Sequence, residues 1–372
     1  MAIQCPDCGA SNPDHAWQCA CGHYFVTTMP QAPSEASGSE TLFATDVAAS
    51  AGSSSESQIR RLWFHGRGGA LLEIYILNIL LSFLTLGIYH FWGKVKVRQY
   101  LYGQTEFEGD RFGYHGTGRE LLIGWLKAMA LFGGFFALLS LNELLWQGPG
   151  QVILAQVFFY GGILLLVPVA IVGSQRYRLS RTSWRGLRFS FRGHATELMR
   201  NFLRDGFLML LTGFLYYPFF QNNLREFLAH NSYYGSEPFD YNGDGWELFK
   251  MYILMLLLIF PTLGLYYFWY TAKKQRYYWA NTEFGHVRFR STVTGEGIAE
   301  IKITNLLLIV FTLGLGYPLA RVREARYQAD HLFLDGPLDL EAIRQQAIEA
   351  SATGDALAEI MDVSVLDLDL GF

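Results

Sequence analysis

Six nearly uncharged apolar runs constrain what this chain can fold into more than any other feature of its sequence. Only 17% of the residues are charged, against roughly 25% in a soluble domain, so lipid is the expected solvent. The runs lie at residues 71–84, 121–145, 152–172, 207–220, 248–260 and 303–313. A membrane span needs about 20 apolar residues. The second and third runs reach that length and predict spanning helices at 120–146 and 151–174.

A unit of about fifty residues repeats through residues 60–338, which we take as the membrane domain. Glycines 213, 264 and 314, for example, are 51 and 50 residues apart. Each copy combines an alternating segment typical of a β-hairpin, a helix start with Gly and Glu, a Thr-Leu-Gly segment with aromatic residues, and a basic segment. The expected fold is an α-helical polytopic membrane protein: repeated helical hairpins linked by short β-hairpins, with a small zinc-ribbon head.

Two sets of residues recur at fixed places in these units. The Thr-Leu-Gly set forms either turns or the lining of a transport path, since glycine-interrupted helices occur in transporters; its members are Thr85, Gly87, Thr262, Gly264, Thr312 and Gly314. The glutamates at the helix starts suit either helix capping, which we prefer, or a proton pathway; they are Glu73, Glu120, Glu197, Glu247 and Glu300.

The N-terminal head, residues 1–26, contains all four cysteines: Cys5, Cys8, Cys19 and Cys21. Four thiolates in two close pairs suit a closed tetrahedral Zn site of structural type. A disulfide or free thiols are the alternative, which an oxidising compartment would favour. Residues 27–59 are rich in Ser, Ala, Gly and Pro and predict a flexible linker.

The C-terminal tail, residues 339–372, is acidic and contains short stretches with helical spacing of apolar residues. Its end alternates acidic and apolar side chains, from Asp362 to Phe372. Such a segment suits a docking peptide that adds a strand to a partner or fills its groove. Packing of the tail on its own domain is the alternative.

The segment 84–124 and a similar segment at 261–285 resemble the bacterial DUF898 (YjgN-like) family. The first reads LTLGIYHFWGKVKVRQYLYGQTEFEGDRFGYHGTGRELLIG and the second PTLGLYYFWYTAKKQRYYWANTEFG. The resemblance covers about residues 60–340, while the zinc ribbon is an addition. It implies a multi-pass bacterial inner-membrane protein without an assigned activity. It also implies a membrane-associated M48-type metallopeptidase as a candidate partner.

The distribution of Lys and Arg leaves two topologies open. Residues 94–119, 174–196 and 271–297 hold five, six and five of them, and residues 221–246 hold only Arg225. Basic loops favour the cytoplasm, so six simple spans would place both termini outside. If each unit instead turns back at Thr-Leu-Gly, all β-hairpins lie on one face and both termini are cytoplasmic. We prefer this one-sided arrangement.

No catalytic motif is present, since the sequence has no phosphate loop, zinc-protease helix, nucleophile elbow or dinucleotide fingerprint. We therefore expect no enzyme and no nucleic-acid partner. The first function hypothesis is a membrane scaffold or sensor that recruits protein partners through its zinc ribbon and tail. The second is a transporter or channel for a small solute, ion or lipid.

Overall fold

The computed structural model describes residues 3–4, 11–12, 59–145, 148, 150–336 and 343. The chain divides into two units, Met1–Ser54 and Ser55–Phe372. In the first unit, strands β1 (Ile3–Gln4) and β2 (Ser11–Asn12) form an antiparallel pair. All other elements belong to the second unit.

Within the described residues of the second unit, ten helices follow one another as five pairs. A short turn joins the two helices in four of these pairs, and residues 146–150 separate the two helices of the remaining pair. The pairs are α1 (Gly68–Leu84) and α2 (His90–Gly103), α3 (Gly118–Leu145) and α4 (Gln151–Arg181), α5 (Ala195–Leu211) and α6 (Tyr217–His230), α7 (Gly245–Ile259) and α8 (Tyr266–Ala280), and α9 (Gly295–Phe311) and α10 (Tyr317–Asp330).

Packing among the helices follows their order in the chain. Each helix packs against the next one, and α10 packs against α1, so the ten helices form a closed ring. Helices α3 and α4 have 28 and 31 residues, whereas the other first helices have 15 to 17. At a rise of 1.5 Å per residue, the α3–α4 pair extends roughly 16 Å further than the others.

The described strands of the second unit lie before, between and after the helix pairs and form one antiparallel sheet. They are β3 (Ile59–Phe64), β4 (Thr105–Phe107), β5 (Asp110–Arg111), β6 (Gly113–Tyr114), β7 (Thr182–Trp184), β8 (Leu187–Phe191), β9 (Ser232–Tyr234), β10 (Glu237–Tyr241), β11 (Thr282–Phe284), β12 (Val287–Ser291) and β13 (Leu332–Asp335).

The sheet is nearly closed on itself. Its strand order is β5-β4-β3-β13-β12-β11-β10-β9-β8-β7-β6. The two end strands, β5 and β6, are separated in the chain by Phe112 alone, whose N–H donates to the Thr105 carbonyl at 3.0 Å. Near-closure leaves little free edge to pair with another chain.

Aromatic side chains, together with two leucines, fill the interior of the sheet. Two residues of each strand pair contribute, and their rings contact those of neighbouring pairs at centroid distances such as 4.8 Å for both Phe189–Tyr234 and Phe239–Phe284. The side chains are Phe107, Trp184, Tyr234, Phe284 and Leu334, and Leu62, Phe112, Phe189, Phe239 and Phe289. This interior is a packed core.

The polar atoms of these aromatic side chains are bonded inside the core. Tyr234 donates its hydroxyl to the Trp184 carbonyl at 2.9 Å, and the Trp184 indole N–H donates to the Phe107 carbonyl at 3.2 Å. Burial raises the pKa of Tyr234 to about 12, so its hydroxyl stays a donor at neutral pH.

The expected helical character is confirmed: the protein is mostly helical and contains two candidate membrane spans. These are Gly118–Leu138 and Ala155–Arg181, within the two helices predicted at 120–146 and 151–174. The large sheet was not predicted. Alternation indicated separate short hairpins, because the pairing between them depends on residues far apart in the chain.

Candidate membrane-embedded surface

Among the residues that the structure describes, the turns between the short paired helices carry the most exposed apolar side chains. Leu86, Leu263 and Leu313 are 93–95% exposed. The phenylalanines two or three residues before them are 82–85% exposed; these are Phe83, Phe260 and Phe311. Exposed apolar patches of this kind mark interaction with lipid or with another protein. We call these turns, together with Thr212–Phe214 between α5 and α6, the hairpin tips.

A threonine hydroxyl connects the two helices at each hairpin tip. Thr262 Oγ1 donates to the Leu258 carbonyl at 2.6 Å and accepts from the Tyr266 N–H at 3.1 Å. One side chain thereby bonds groups at the end of α7 and the start of α8, groups that lack partners in isolated helices. Thr85, Thr212 and Thr312 make the same pair of bonds.

The residues after the threonine have left-handed backbone conformations. Leu263 has φ 50° and Gly264 has φ 86°, and the turns at residues 86–87 and 313–314 have the same signs. At the remaining tip the order is reversed, with Gly213 at φ 58° and Phe214 at φ 68°. Glycine adopts these angles without steric cost, whereas leucine does so with strain. Three of the four tips nevertheless have leucine at this position, with its apolar side chain exposed.

The outward faces of the short first helices are also apolar. On α1, Ile76, Leu80 and Phe83 are 51–85% exposed and recur at helical spacing. Corresponding exposed side chains on α5, α7 and α9 include Phe207, Leu210, Leu257, Leu306 and Val310. The apolar surface thus extends from the tips along the helices toward the sheet.

Polar contacts concentrate at the opposite end, where the helices meet the sheet. The Tyr277 hydroxyl on α8 donates to the Asp244 carbonyl before α7, at 3.0 Å. Tyr100 and Tyr327 bond Arg67 and Thr294 in the same way, also 33 residues back. This end also carries ion pairs, such as Arg60–Glu108 at 3.0 Å. One end of the unit is therefore polar and the other apolar.

The predicted helix-capping glutamates fall in two groups. Glu120, Glu197 and Glu247 lie in the first turns of α3, α5 and α7. The Glu120 carboxylate accepts from the Thr117 N–H at 3.3 Å, and Thr117 Oγ1 accepts from the Glu120 N–H at 3.3 Å. Glu73 and Glu300 lie in the second turns of α1 and α9, past the free N–H groups that a cap satisfies.

The six Thr and Gly residues proposed as turn or pathway residues all lie at hairpin tips, where they form the turns described above. The predicted zinc ligands, Cys5, Cys8, Cys19 and Cys21, lie outside the described residues. Within the described residues, no cluster of His, Cys, Asp and Glu suits a metal ion.

Sequence reasoning missed a polar position shared by three first helices. Asn78, Asp205 and Asn305 are buried, and each bonds to the second helix of its pair. The two asparagines donate to the Gly93 and Ala320 carbonyls at 3.2 and 3.3 Å, and Asp205 accepts from Asn223 at 2.8 Å. All three lie ten residues after the helix start. A polar residue at this same position in three helices could have been recognised from the sequence.

Two apolar helices of spanning length, four shorter helix pairs with apolar tips, and a polar sheet end together define an α-helical membrane protein. The chain belongs to the DUF898 family, described as bacterial proteins of unknown function. The family model matches residues 60–268, 236–299 and 252–360, which together cover more than half of the chain.

Among curated relatives, the chain is similar to the inner membrane protein YjgN of Salmonella typhimurium, with 32% identity over 139 residues, 37% of this chain and 33% of the relative. It is also similar to YjgN of Escherichia coli K12, with 33% identity over 128 residues, 34% of this chain and 30% of the relative. The matched region thus spans about a third of these relatives. No solved structure matches the chain.

Proposed function

We propose that this chain is a non-catalytic scaffold of the bacterial inner membrane that recruits protein partners through its two terminal segments. The pairing of β3 with β13 carries the proposal. Phe333 lies opposite Arg61, and Asp335 lies opposite Ile59. The segments 1–58 and 337–372 are therefore connected to adjacent strands of the sheet. In the sequence these strands are far apart: 271 positions separate Ile59 from residue 330, where α10 ends.

The proposed membrane arrangement follows from helix lengths. The hydrocarbon layer is about 30 Å thick, and a 17-residue helix such as α1 or α9 spans roughly 26 Å. Charged residues occupy the sheet end of these helices, for example Glu300 and Lys302 on α9. The four short pairs thus end inside the hydrocarbon layer, and the longer α3–α4 pair crosses it.

The strand pairing favours the one-sided topology over six simple spans. Hydrogen bonds join the strands of residues 182–191 to those of 232–241, and these to the strands of 282–291. Six simple spans would separate the middle segment from its two neighbours by a bilayer. The basic residues of all these segments then lie on one side, which the positive-inside rule assigns to the cytoplasm. The YjgN relatives are named as inner membrane proteins, in keeping with this placement.

In the cytoplasm, thiols stay reduced, so the four cysteines would be available as zinc ligands. The head would then be a zinc ribbon. A membrane-associated M48-type metallopeptidase remains a candidate partner. We also propose that the helix pairs evolved from one repeated unit, because their turns share a common geometry.

Affinity capture from membranes tests the scaffold role. Three versions are compared by quantitative mass spectrometry: the full chain, a chain lacking residues 1–58 and a chain lacking residues 344–372. The proposal expects a protein that the full chain captures and that at least one deletion loses at least tenfold. Identical captures from all three versions would overturn it.

A transport role has weaker support. The Thr-Leu-Gly hydroxyls are occupied by the turn bonds, and aromatic side chains fill the sheet interior. Replacement of these threonines would therefore alter stability rather than solute flux.

A further inference from the structure

The outward face of α5 carries two exposed arginines, Arg200 and Arg204. Their spacing of four residues places them on the same side of the helix. Among the described residues, Arg200 has no ion-pair partner, and Arg204 pairs only with its neighbour Asp205. Glu197 lies one turn before Arg200 and, within the same part of the chain, pairs with neither arginine. The two guanidinium groups are therefore open to an anion from outside the chain.

The buried carboxylate of Asp205 holds the guanidinium of Arg204 in place. Asp205 is 2% exposed, and its Oδ1 accepts from Arg204 Nε at 2.7 Å. Its Oδ2 accepts from Asn223 Nδ2 on α6 at 2.8 Å. The Arg204 side chain is 57% exposed, and among the described residues its two terminal nitrogens have no partner. A guanidinium fixed in this way loses less conformational entropy when it binds an anion.

Exposed apolar side chains continue the same face of α5 toward the hairpin tip. Leu203 is 38% exposed, Phe207 is 66% exposed, and both Leu210 and Leu211 are 71% exposed. Steps of three and four residues connect these positions with Arg200, as on one face of a helix. A face that is basic at one end and apolar along the rest matches a phospholipid, in which a charged phosphate is joined to apolar acyl chains.

The level of the arginines along α5 agrees with the level of lipid headgroups. Arg204 lies eight residues before Thr212, which is roughly 12 Å at the rise of a helix. Half of the hydrocarbon layer is about 15 Å thick. The Cα–Cβ bonds of a helix tilt toward its first residue, here at the sheet end, so a long arginine side chain reaches further toward the headgroups. A hairpin tip near the middle of the bilayer thus places both guanidinium groups at the phosphate level.

The pair of unpaired arginines distinguishes α5 from the first helices of the other short pairs. At the two corresponding positions, counted from the helix start, those helices have uncharged, acidic or paired side chains. They are Leu77 and Glu73 on α1, Leu254 and Lys250 on α7, and Thr304 and Glu300 on α9. Lys250 pairs with Glu247 at 2.6 Å. The other short pairs therefore lack an equivalent basic site at these positions.

We propose that Arg200 and Arg204 bind the phosphate of one anionic phospholipid, whose acyl chains lie along Phe207 and Leu211. The two arginines and Asp205 together leave one positive charge, which the single negative charge of a phosphodiester balances. The site lies on the helices and does not depend on the terminal segments or on the scaffold role. It gives the protein a preference for anionic lipid at one helix pair.

Quenching of a fluorophore by brominated lipids tests this site. The fluorophore is attached to Phe207→Cys, in a full-length chain whose four native cysteines are serines, reconstituted in phosphatidylcholine liposomes. Brominated phosphatidylglycerol or brominated phosphatidylcholine is added at the same mole fraction, and the ratio of the two quenching efficiencies is measured. Leu257→Cys is the matched control, because Leu257 is 70% exposed and has the corresponding position on α7.

Two variants remove the basic site in different ways. Arg204→Leu combined with Asp205→Asn copies Leu77 and Asn78, the residues at these positions on α1, so the fold is expected to accept the change. Arg200→Gln leaves both bonds of Asp205 intact.

The site predicts that phosphatidylglycerol quenches position 207 at least about twofold more than phosphatidylcholine does, that the ratio at position 257 is close to one, and that each variant loses the excess at position 207. A ratio close to one at position 207 would overturn the proposal. Equal excesses at positions 207 and 257, or an excess that either variant keeps, would also overturn it, because the basic sheet end as a whole would then attract the lipid. Stabilisation of the parent by inorganic phosphate, lost in the variants and with a ratio close to one, would instead assign the arginines to a soluble anion.

Discussion

Replacement of Thr262 by valine tests the role of the threonine at the hairpin tips. Valine keeps the shape of the side chain but removes the hydroxyl. The Leu258 carbonyl keeps a bond from the Thr262 N–H at 3.1 Å, so the main loss is the partner of the Tyr266 N–H. An orphaned buried amide costs about 1–3 kcal/mol, although side-chain hydrogen bonds measured in membranes average about 0.6 kcal/mol. We expect a destabilisation of about 1–2 kcal/mol.

Thr271→Val provides a matched control within the same helix pair. Thr271 Oγ1 donates to the Tyr267 carbonyl at 2.9 Å, inside the regular helix α8, and its loss orphans no backbone group. The expected cost is below about 0.5 kcal/mol. Both variants are compared with the parent by SDS titration in mixed micelles, followed by tryptophan fluorescence. If Thr262→Val shifts the midpoint no more than Thr271→Val, the threonine does not hold the tip together.

Three further predictions concern the tip, the contact between helix ends and the sheet core. A fluorophore on Leu263→Cys should be quenched by brominated acyl chains in liposomes, while one on Ser236→Cys, in the turn between β9 and β10, should not; equal quenching would contradict insertion of the tip. Tyr277→Phe removes the bond to the Asp244 carbonyl and should cost about 1 kcal/mol, measured by the same SDS titration; no cost would show that water replaces this bond. Phe239→Ala, at a site 6% exposed, should cost about 3–5 kcal/mol; a melting temperature within 2 °C of the parent, on the order of the shift for less than 1 kcal/mol, would refute a packed sheet interior.

Local features of the fold were predictable from the sequence because they depend on neighbouring residues. The length of the apolar runs predicted the helices of residues 118–145 and 151–181. Alternation predicted strands such as Thr282–Phe284 and Val287–Ser291. Thr-Leu-Gly predicted a turn, but not that the leucine adopts a positive φ and projects outward.

Long-range features were not predictable from one sequence. The near-closure of the sheet depends on β3 pairing with β13, and four-residue strands such as Leu332–Asp335 carry little local signal. The cation–π contacts of Arg225 with Tyr278 and Trp279 depend on which elements surround it, and in the sequence it is a single arginine in a segment poor in basic residues. Its aromatic neighbours lie about fifty positions later.

Labelling of single cysteines in intact cells tests the one-sided arrangement most directly. In a chain without the four native cysteines, cysteines are placed at Arg188, Ser236 and His286 near the strand turns, and at Gly148 between α3 and α4. A membrane-impermeant thiol reagent should label position 148 only, and all four positions should react once the cells are opened. Labelling of position 236 in intact cells, with positions 188 and 286 protected, would contradict the account, because a bilayer would then separate strands that the sheet joins.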